Sequence, residues 1–169
     1  MKSFPLAFCA LALLAPTLTA CDSGDADETI AELVINDRNL TTLEAALVRA
    51  ELDGALDGDG PFTVFAPTDE AFERLLDDLD ATPAELLDRD DLAEILQLHV
   101  VSGRVLESDD LDDGTVIATL NGRSIRIADG GIDADNDGEA DAEFDRTDIE
   151  ASNGIVHKID RVLRGYASP

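Results

Sequence analysis

Apolar residues recur at helical spacing through the first half of this chain and at strand spacing through the second. Residues 29–36 form a short amphipathic run. Thr41-Thr42-Leu43-Glu44 then reads as a capping box, with Thr41 at the N-cap and Glu44 at the third position. Leu43, Ala46, Leu47 and Ala50 continue one stripe, which predicts a helix over 41–52. Three Asp-Gly pairs follow, at Asp53-Gly54, Asp57-Gly58 and Asp59-Gly60, and predict a loop. Phe62 to Phe65 is β-branched and aromatic, as a buried strand requires, and Pro67 ends it. Thr68 is the expected cap of the next helix, with Asp69 and Glu70 in its first turn, where carboxylates favour the helix dipole. Ala71, Phe72, Leu75, Leu76 and Leu79 make its apolar face.

Thr82-Pro83-Ala84-Glu85 is a second capping box with proline at the favoured first helical position. Asp90 or Asp91 opens a further helix, whose Leu92, Ile95, Leu96 and His99 share a stripe. From Val100 the pattern changes: residues 100–106 read as a turn followed by a strand. Residues 116–120 and 124–127 flank Asn121-Gly122, a strong hairpin signal. Ile155, His157 and Ile159 alternate against Val156, Lys158 and Asp160 in a final strand over 155–163. Helices first and antiparallel strands after predict an α+β domain.

The N-terminus has a different character. Lys2 precedes an apolar run from Phe4 to Leu18, of signal-peptide length and too short to span a bilayer comfortably. Leu18-Thr19-Ala20-Cys21 closes it and resembles the lipobox of bacterial lipoproteins, in which the cysteine becomes the first mature residue and carries lipid on its sulfur. Ordinary cleavage after a small residue, with Cys21 incidental, is the alternative. Either way 1–20 is read as a leader, 21–28 as an acidic tether, 29–165 as one domain and 166–169 as a tail. The only other cysteine, Cys9, lies within the leader, so the domain has no disulfide and must be held by its core.

The chain of 169 residues carries 12 Lys and Arg against 38 Asp and Glu, a formal net charge of −26. Such a surface repels nucleic acid and anionic headgroups and disfavours binding to either by simple electrostatics. It suits a salty medium, where ions screen self-repulsion, or a polyanion that gathers divalent cations.

Residues 61–72, Pro-Phe-Thr-Val-Phe-Ala-Pro-Thr-Asp-Glu-Ala-Phe, and 151–163, Ala-Ser-Asn-Gly-Ile-Val-His-Lys-Ile-Asp-Arg-Val-Leu, resemble the two signature segments of the fasciclin domain. Residues 96–106 resemble the family's central Tyr-His segment, with Leu98 in place of the usual Tyr. In animal members that region is tied to integrin contact, which is therefore not carried over. The resemblance spans roughly 28–165. It implies a wedge in which a helical layer packs on a small twisted pair of antiparallel β-sheets. It also implies a binding module of the cell envelope rather than an enzyme. Within it Phe62, Val64 and Phe65 fill the core, Asp69 hydrogen-bonds nearby backbone and holds the two signatures together, and Asn153-Gly154 makes a positive-φ turn.

Candidate chemistry is sparse. His99 and His157 invite a metal or general-base reading, but both fall in core-facing segments and no cysteine accompanies them. No serine lies in a Gly-x-Ser-x-Gly context, and glycine-rich phosphate loops are absent, so no catalytic residue is assigned. One stretch stands out, residues 133–145. Asp133, Asp135 and Asp137 alternate, Gly138 follows and Asp141 comes three later, resembling the calcium loops of EF-hand, dockerin and thrombospondin type 3 repeats. By that resemblance the three aspartates give side-chain oxygens, Glu139 its carbonyl and Asp141 a direct or water-bridged carboxylate. Phe144 occupies the usual bidentate Glu position, so Glu143 or Asp145 closes the shell. The bound ion would be structural and weakly held; the competing reading is a solvated acidic tract. Relatives usually have a β-hairpin where this acidic stretch falls. The expected whole is an exported, lipid-anchored, monomeric adhesion or interaction module at the periplasm or cell surface. Its partner would be a matrix polysaccharide, an envelope protein or a host surface; a small-ligand carrier is the alternative.

Overall fold

The computed structural model describes residues 28–164. The expected leader over 1–20, Cys21, all but the last residue of the tether and the tail over 166–169 lie outside them.

Six short helices are described: α1 Ile30–Asn36, α2 Thr41–Arg49, α3 Asp53–Leu56, α4 Asp69–Leu79, α5 Pro83–Leu87 and α6 Leu92–Leu98. Seven strands accompany them: β1 Phe62–Pro67, β2 Val100–Ser102, β3 Val116–Ala118, β4 Ser124–Ala128, β5 Gly131–Asp133, β6 Ala142–Ala151 and β7 Gly154–Ile159. The strands run in the order β2-β1-β7-β6-β5-β4-β3. β6 joins two halves. Ala142 and Glu143 pair with β5, whereas Phe144 to Ala151 pair with β7. Two register irregularities bend it between Phe144 and Ile149.

The α+β class is as expected, and the two signature segments lie side by side. Their pairing corrects the antiparallel expectation: β1 and β7 run parallel, with Phe62 opposite Gly154 and Pro67 opposite Ile159. A parallel pair needs a long crossover, and here every element from α4 to β6 lies between the two strands in sequence.

β1 separates two cores, which explains its unbroken hydrophobicity. Val64 and Ala66 face the helical layer with Leu43, Leu47, Phe72, Leu75 and Leu96. Phe65 faces the other way, with Leu98, Ile117, Ile125, Ile127, Ile132 and Ile159. Alternation in β7 follows the same rule. Val156 points to the helices, and so does Lys158, whose ammonium, with a side chain 7% exposed, ion-pairs with Asp37 at the end of α1.

Local signals succeed where the partner is local. Thr68 caps α4 by accepting the Ala71 amide, and the Thr82–Glu85 capping box opens α5 with Pro83 in its first turn. A third box, Thr29 with Glu32, opens α1. The Thr41 box fails. Helix α2 begins with Leu40 at its N-cap and no side-chain cap of its own, and ends at Arg49. Its cap comes from elsewhere: Asp69 Oδ1 accepts the Thr42 amide at 2.8 Å and Oδ2 accepts the Thr41 hydroxyl at 2.8 Å. Asp91 likewise precedes α6 without capping it, because its carboxylate is engaged by Arg89 at 2.6 and 2.7 Å.

Other boundaries shift. Asp53-Gly54 starts the helical turn α3 rather than a loop. In 100–106 the strand comes first, and the turn follows at Gly103 with φ +89°. The last strand ends at Ile159. The Asn121-Gly122 hairpin forms, with Gly122 alone of the pair at positive φ. Gly154 is not at positive φ. It is needed because a Cβ there would collide with the Phe62 carbonyl of the adjacent strand.

Candidate functional site

The 134–141 connection is the tip of the β5–β6 hairpin; it does not replace the hairpin. Asp133, the last residue of β5, is fully buried. Its Oδ1 accepts the Asn136 amide at 2.6 Å and its Oδ2 the Gly138 amide at 3.0 Å. Asn136 at φ 63° and Gly138 at φ 99° supply the left-handed turns that point both amides inward. Asp141 Oδ2 accepts the Ala134 amide at 2.8 Å, and Asp135 Oδ1 accepts the Asp137 amide at 3.2 Å. The loop is thus a coil of carboxylates, each stitched to backbone a few residues away.

Of the six residues expected as ligands, three converge. One carboxylate oxygen each from Asp133, Asp135 and Asp141 falls within 4.8 Å of the others. Burial together with the neighbouring charges of Asp141, Asp137 and Asp133 raises the carboxyl of Asp135 above its ordinary value, the response of an anion crowded by anions. The carboxylates of the remaining three lie outside that group; Glu139 was expected through its backbone carbonyl, on which a grouping of side-chain oxygens does not bear. Asp137 accepts the Glu139 amide at 2.9 Å instead, and the Glu139 side chain is exposed. Asp145 sits exposed on β6, because pairing of Ala142 with Ile132 draws the chain into a strand directly after Asp141. The same pairing carries Glu143 away, its amide donating to Asp160 Oδ1 at 2.8 Å. Hard oxygen donors in this number suit a cation such as calcium with water completing the shell.

The histidines are core residues. The Leu163 amide donates to His99 Nε2 at 2.9 Å, which fixes the proton on Nδ1, whose partner is the Ile95 carbonyl at 2.7 Å. Burial pushes its pKa down to about 4, so the ring is neutral. His157 has the opposite tautomer. The Asp148 amide donates to Nδ1 at 3.2 Å and Nε2–H donates to the Leu106 carbonyl at 2.7 Å, with desolvation lowering its pKa also. Phe65 stacks on it with centroids 5.7 Å apart, and Phe144 meets it edge-on at 6.0 Å. Neither ring keeps a nitrogen for metal or substrate.

Asp69 accepts backbone as expected, from Thr42, but a side-chain tie from the C-terminal signature comes from Asn153, in the turn before β7. Its Oδ1 accepts the Ile30 amide at 2.9 Å, and its Nδ2 donates to the Leu56 and Gly58 carbonyls at 2.6 and 3.0 Å. It thereby ties the C-terminal signature to α1 and to the chain leading into β1.

The profile of the Fasciclin domain matches residues 38–165. The chain belongs to the fasciclin domain family. Among curated proteins, the fasciclin domain here is 36% identical over 144 residues to Protein sll1483 of Synechocystis sp., covering 82% of this chain and 74% of that one. It is 37% identical over 135 residues to the uncharacterized protein sll1735 of the same organism, covering 79% and 96%. Human periostin is 33% identical over 139 residues, but the match covers 79% of this chain and only 15% of periostin. A solved fasciclin domain pair from the insect cell adhesion molecule Fasciclin I superposes with a TM-score of 0.62 at 19% identity, covering 81% of this chain and 51% of that one. That likeness is one of fold. Among the described residues no helix is long and apolar enough to cross a membrane.

Proposed function

We propose that this fasciclin domain is a non-enzymatic adhesion or interaction module of a bacterial envelope, exported by its leader and held to the membrane by lipid on Cys21. The observation that carries the reading is the family match over 38–165, with two bacterial relatives covered over most of their length. The insect protein of the same fold is, by its title, a cell adhesion molecule. The two histidines, the best candidates for catalysis, spend both ring nitrogens on backbone. The partner is a matrix polysaccharide, an envelope protein or a host surface.

The hairpin tip is a structural calcium loop, with Asp133, Asp135 and Asp141 as side-chain ligands. The ion offsets the burial and the neighbouring negative charges that raise the Asp135 carboxyl, and its affinity is weak, as for extracellular modules.

Two experiments test the module. Immobilised envelope proteins and matrix glycans should retain the purified protein, whereas retention of none, with a small molecule found by native mass spectrometry, would favour a carrier. Cys21→Ser should release the protein from membranes; continued membrane fractionation would place the anchor elsewhere.

A further inference from the structure

A cleft of about 310 Å³ lies between α4, the acidic hairpin tip and the segment after β7. Three of the chain's 12 basic residues line it, Arg74, Arg161 and Arg164, in a protein of net charge −26. Two of them are committed. Arg74 Nη1 donates to Asp160 Oδ2 at 2.7 Å and to the Asp160 carbonyl at 3.0 Å, and Arg164 reaches Asp78 at 3.2 Å. Arg161 is exposed and makes no hydrogen bond or ion pair among the described residues.

Its backbone, by contrast, is fixed on both sides. Asp160 donates its amide to the Glu143 carbonyl at 3.1 Å and accepts the Glu143 amide at 2.8 Å. Two residues on, the buried Leu163 donates to His99. Arg161 therefore carries, on a fixed backbone, a guanidinium with its donors unspent, a group that can bind a carboxylate bidentately. Across the cleft Asp135 and Asp141 each keep an oxygen not used by the loop, and such oxygens accept hydroxyl protons. Leu75 and Val162 add apolar surface.

We infer that this cleft binds an acidic sugar residue, one carboxylate on Arg161 with neighbouring hydroxyls on the hairpin-tip aspartates. A bare anion meets four aspartates in the same lining, Asp77, Asp78, Asp135 and Asp141, and gains little. A neutral sugar leaves the guanidinium unpaired. A polyanionic chain is repelled by the surrounding charge, so the fit is to an isolated uronic acid residue among neutral ones. The cleft volume is that of a small-ligand site. The inference narrows the interaction reading above and rests on it, but needs no calcium.

The test is an NMR amide titration of the purified protein in EDTA with D-glucuronate, D-glucose and acetate as separate probes. Glucuronate should shift amides of residues 71–78 and 160–164, with glucose and acetate about tenfold weaker. Arg161→Gln should weaken glucuronate about tenfold, and Arg161→Lys should retain part of the affinity. Equal response to acetate, equal response to glucose, shifts elsewhere, or an Arg161→Gln protein that binds undiminished would each overturn the assignment. If envelope material is retained while glucuronate is silent, only the sugar site falls. If glucuronate binds and no envelope material is retained, the adhesion role falls and the site stands.

Discussion

The carboxylate of Asp69 caps a helix that begins 28 residues before it: its Oδ1 accepts the Thr42 amide at 2.8 Å while Asp69 itself opens α4. One side chain thus serves the N-terminal ends of two helices, whose positive ends favour its charge. Partial burial alone would raise its pKa, but the hydrogen bonds from Thr42 and Thr41 bring it below the ordinary value. Asp69→Ala should destabilise the domain by about 1–2 kcal/mol, the cost of a lost cap. Chemical denaturation checks it. Thr41→Ala in the Asp69→Ala background should then add less than it does alone, because the shared hydrogen bond is already gone.

Gly154 and Gly54 make a matched pair. A Cβ at Gly154 would collide with the Phe62 carbonyl, so Gly154→Ala must part the β1–β7 ladder, and a loss above about 3 kcal/mol is expected. Gly54 lies in α3 with nothing within 4 Å of an added Cβ. Gly54→Ala should stabilise by about 0.5–1 kcal/mol. Thermal melts of the two variants should move in opposite directions.

Acid should weaken the fold through His99. The unfolded ring titrates near 6.5 and the folded one near 4, so the unfolded state takes its proton first. The stability this histidine contributes is complete above pH 6.5 and is lost as pH falls toward 4. About 2 kcal/mol of it should be gone by pH 5. His157, lowered in the same direction, adds to the slope, while Asp135, whose carboxyl is raised, opposes it. Denaturation at pH 7.5 and at pH 5 measures the difference, and His99→Gln should flatten it.

Calcium should raise the melting temperature, and EDTA should remove the gain. Asp135→Asn should abolish that response, whereas Asp145→Asn, outside the converging group, should leave it intact. Asp133→Ala should destabilise even in EDTA, by about 1 kcal/mol, because the part-buried Asn136 and Gly138 amides lose their acceptor. A melting temperature blind to calcium in the unmodified protein would reduce the hairpin tip to a solvated acidic turn.

The sequence by itself determined what depends on near neighbours. The Thr68 and Thr82 caps act on amides three residues away, the Asn121-Gly122 turn closes its own hairpin, and Val64 and Phe65 of the apolar run are buried on opposite faces, with Phe62 part-buried. The same locality carried Asp133, Asp135 and Asp141, whose alternate spacing a short loop can curl together, yet it equally nominated Asp137, Glu139 and Asp145. Only the tertiary structure set Asp145 apart, because the Ile132–Ala142 pairing decides where loop ends and strand begins. Folding alone also brought Asp69 to Thr42, Gly154 against Phe62 and Arg161 to face the acidic tip. Each joins segments whose meeting is set by how the two cores pack, and no spacing along the chain encodes it.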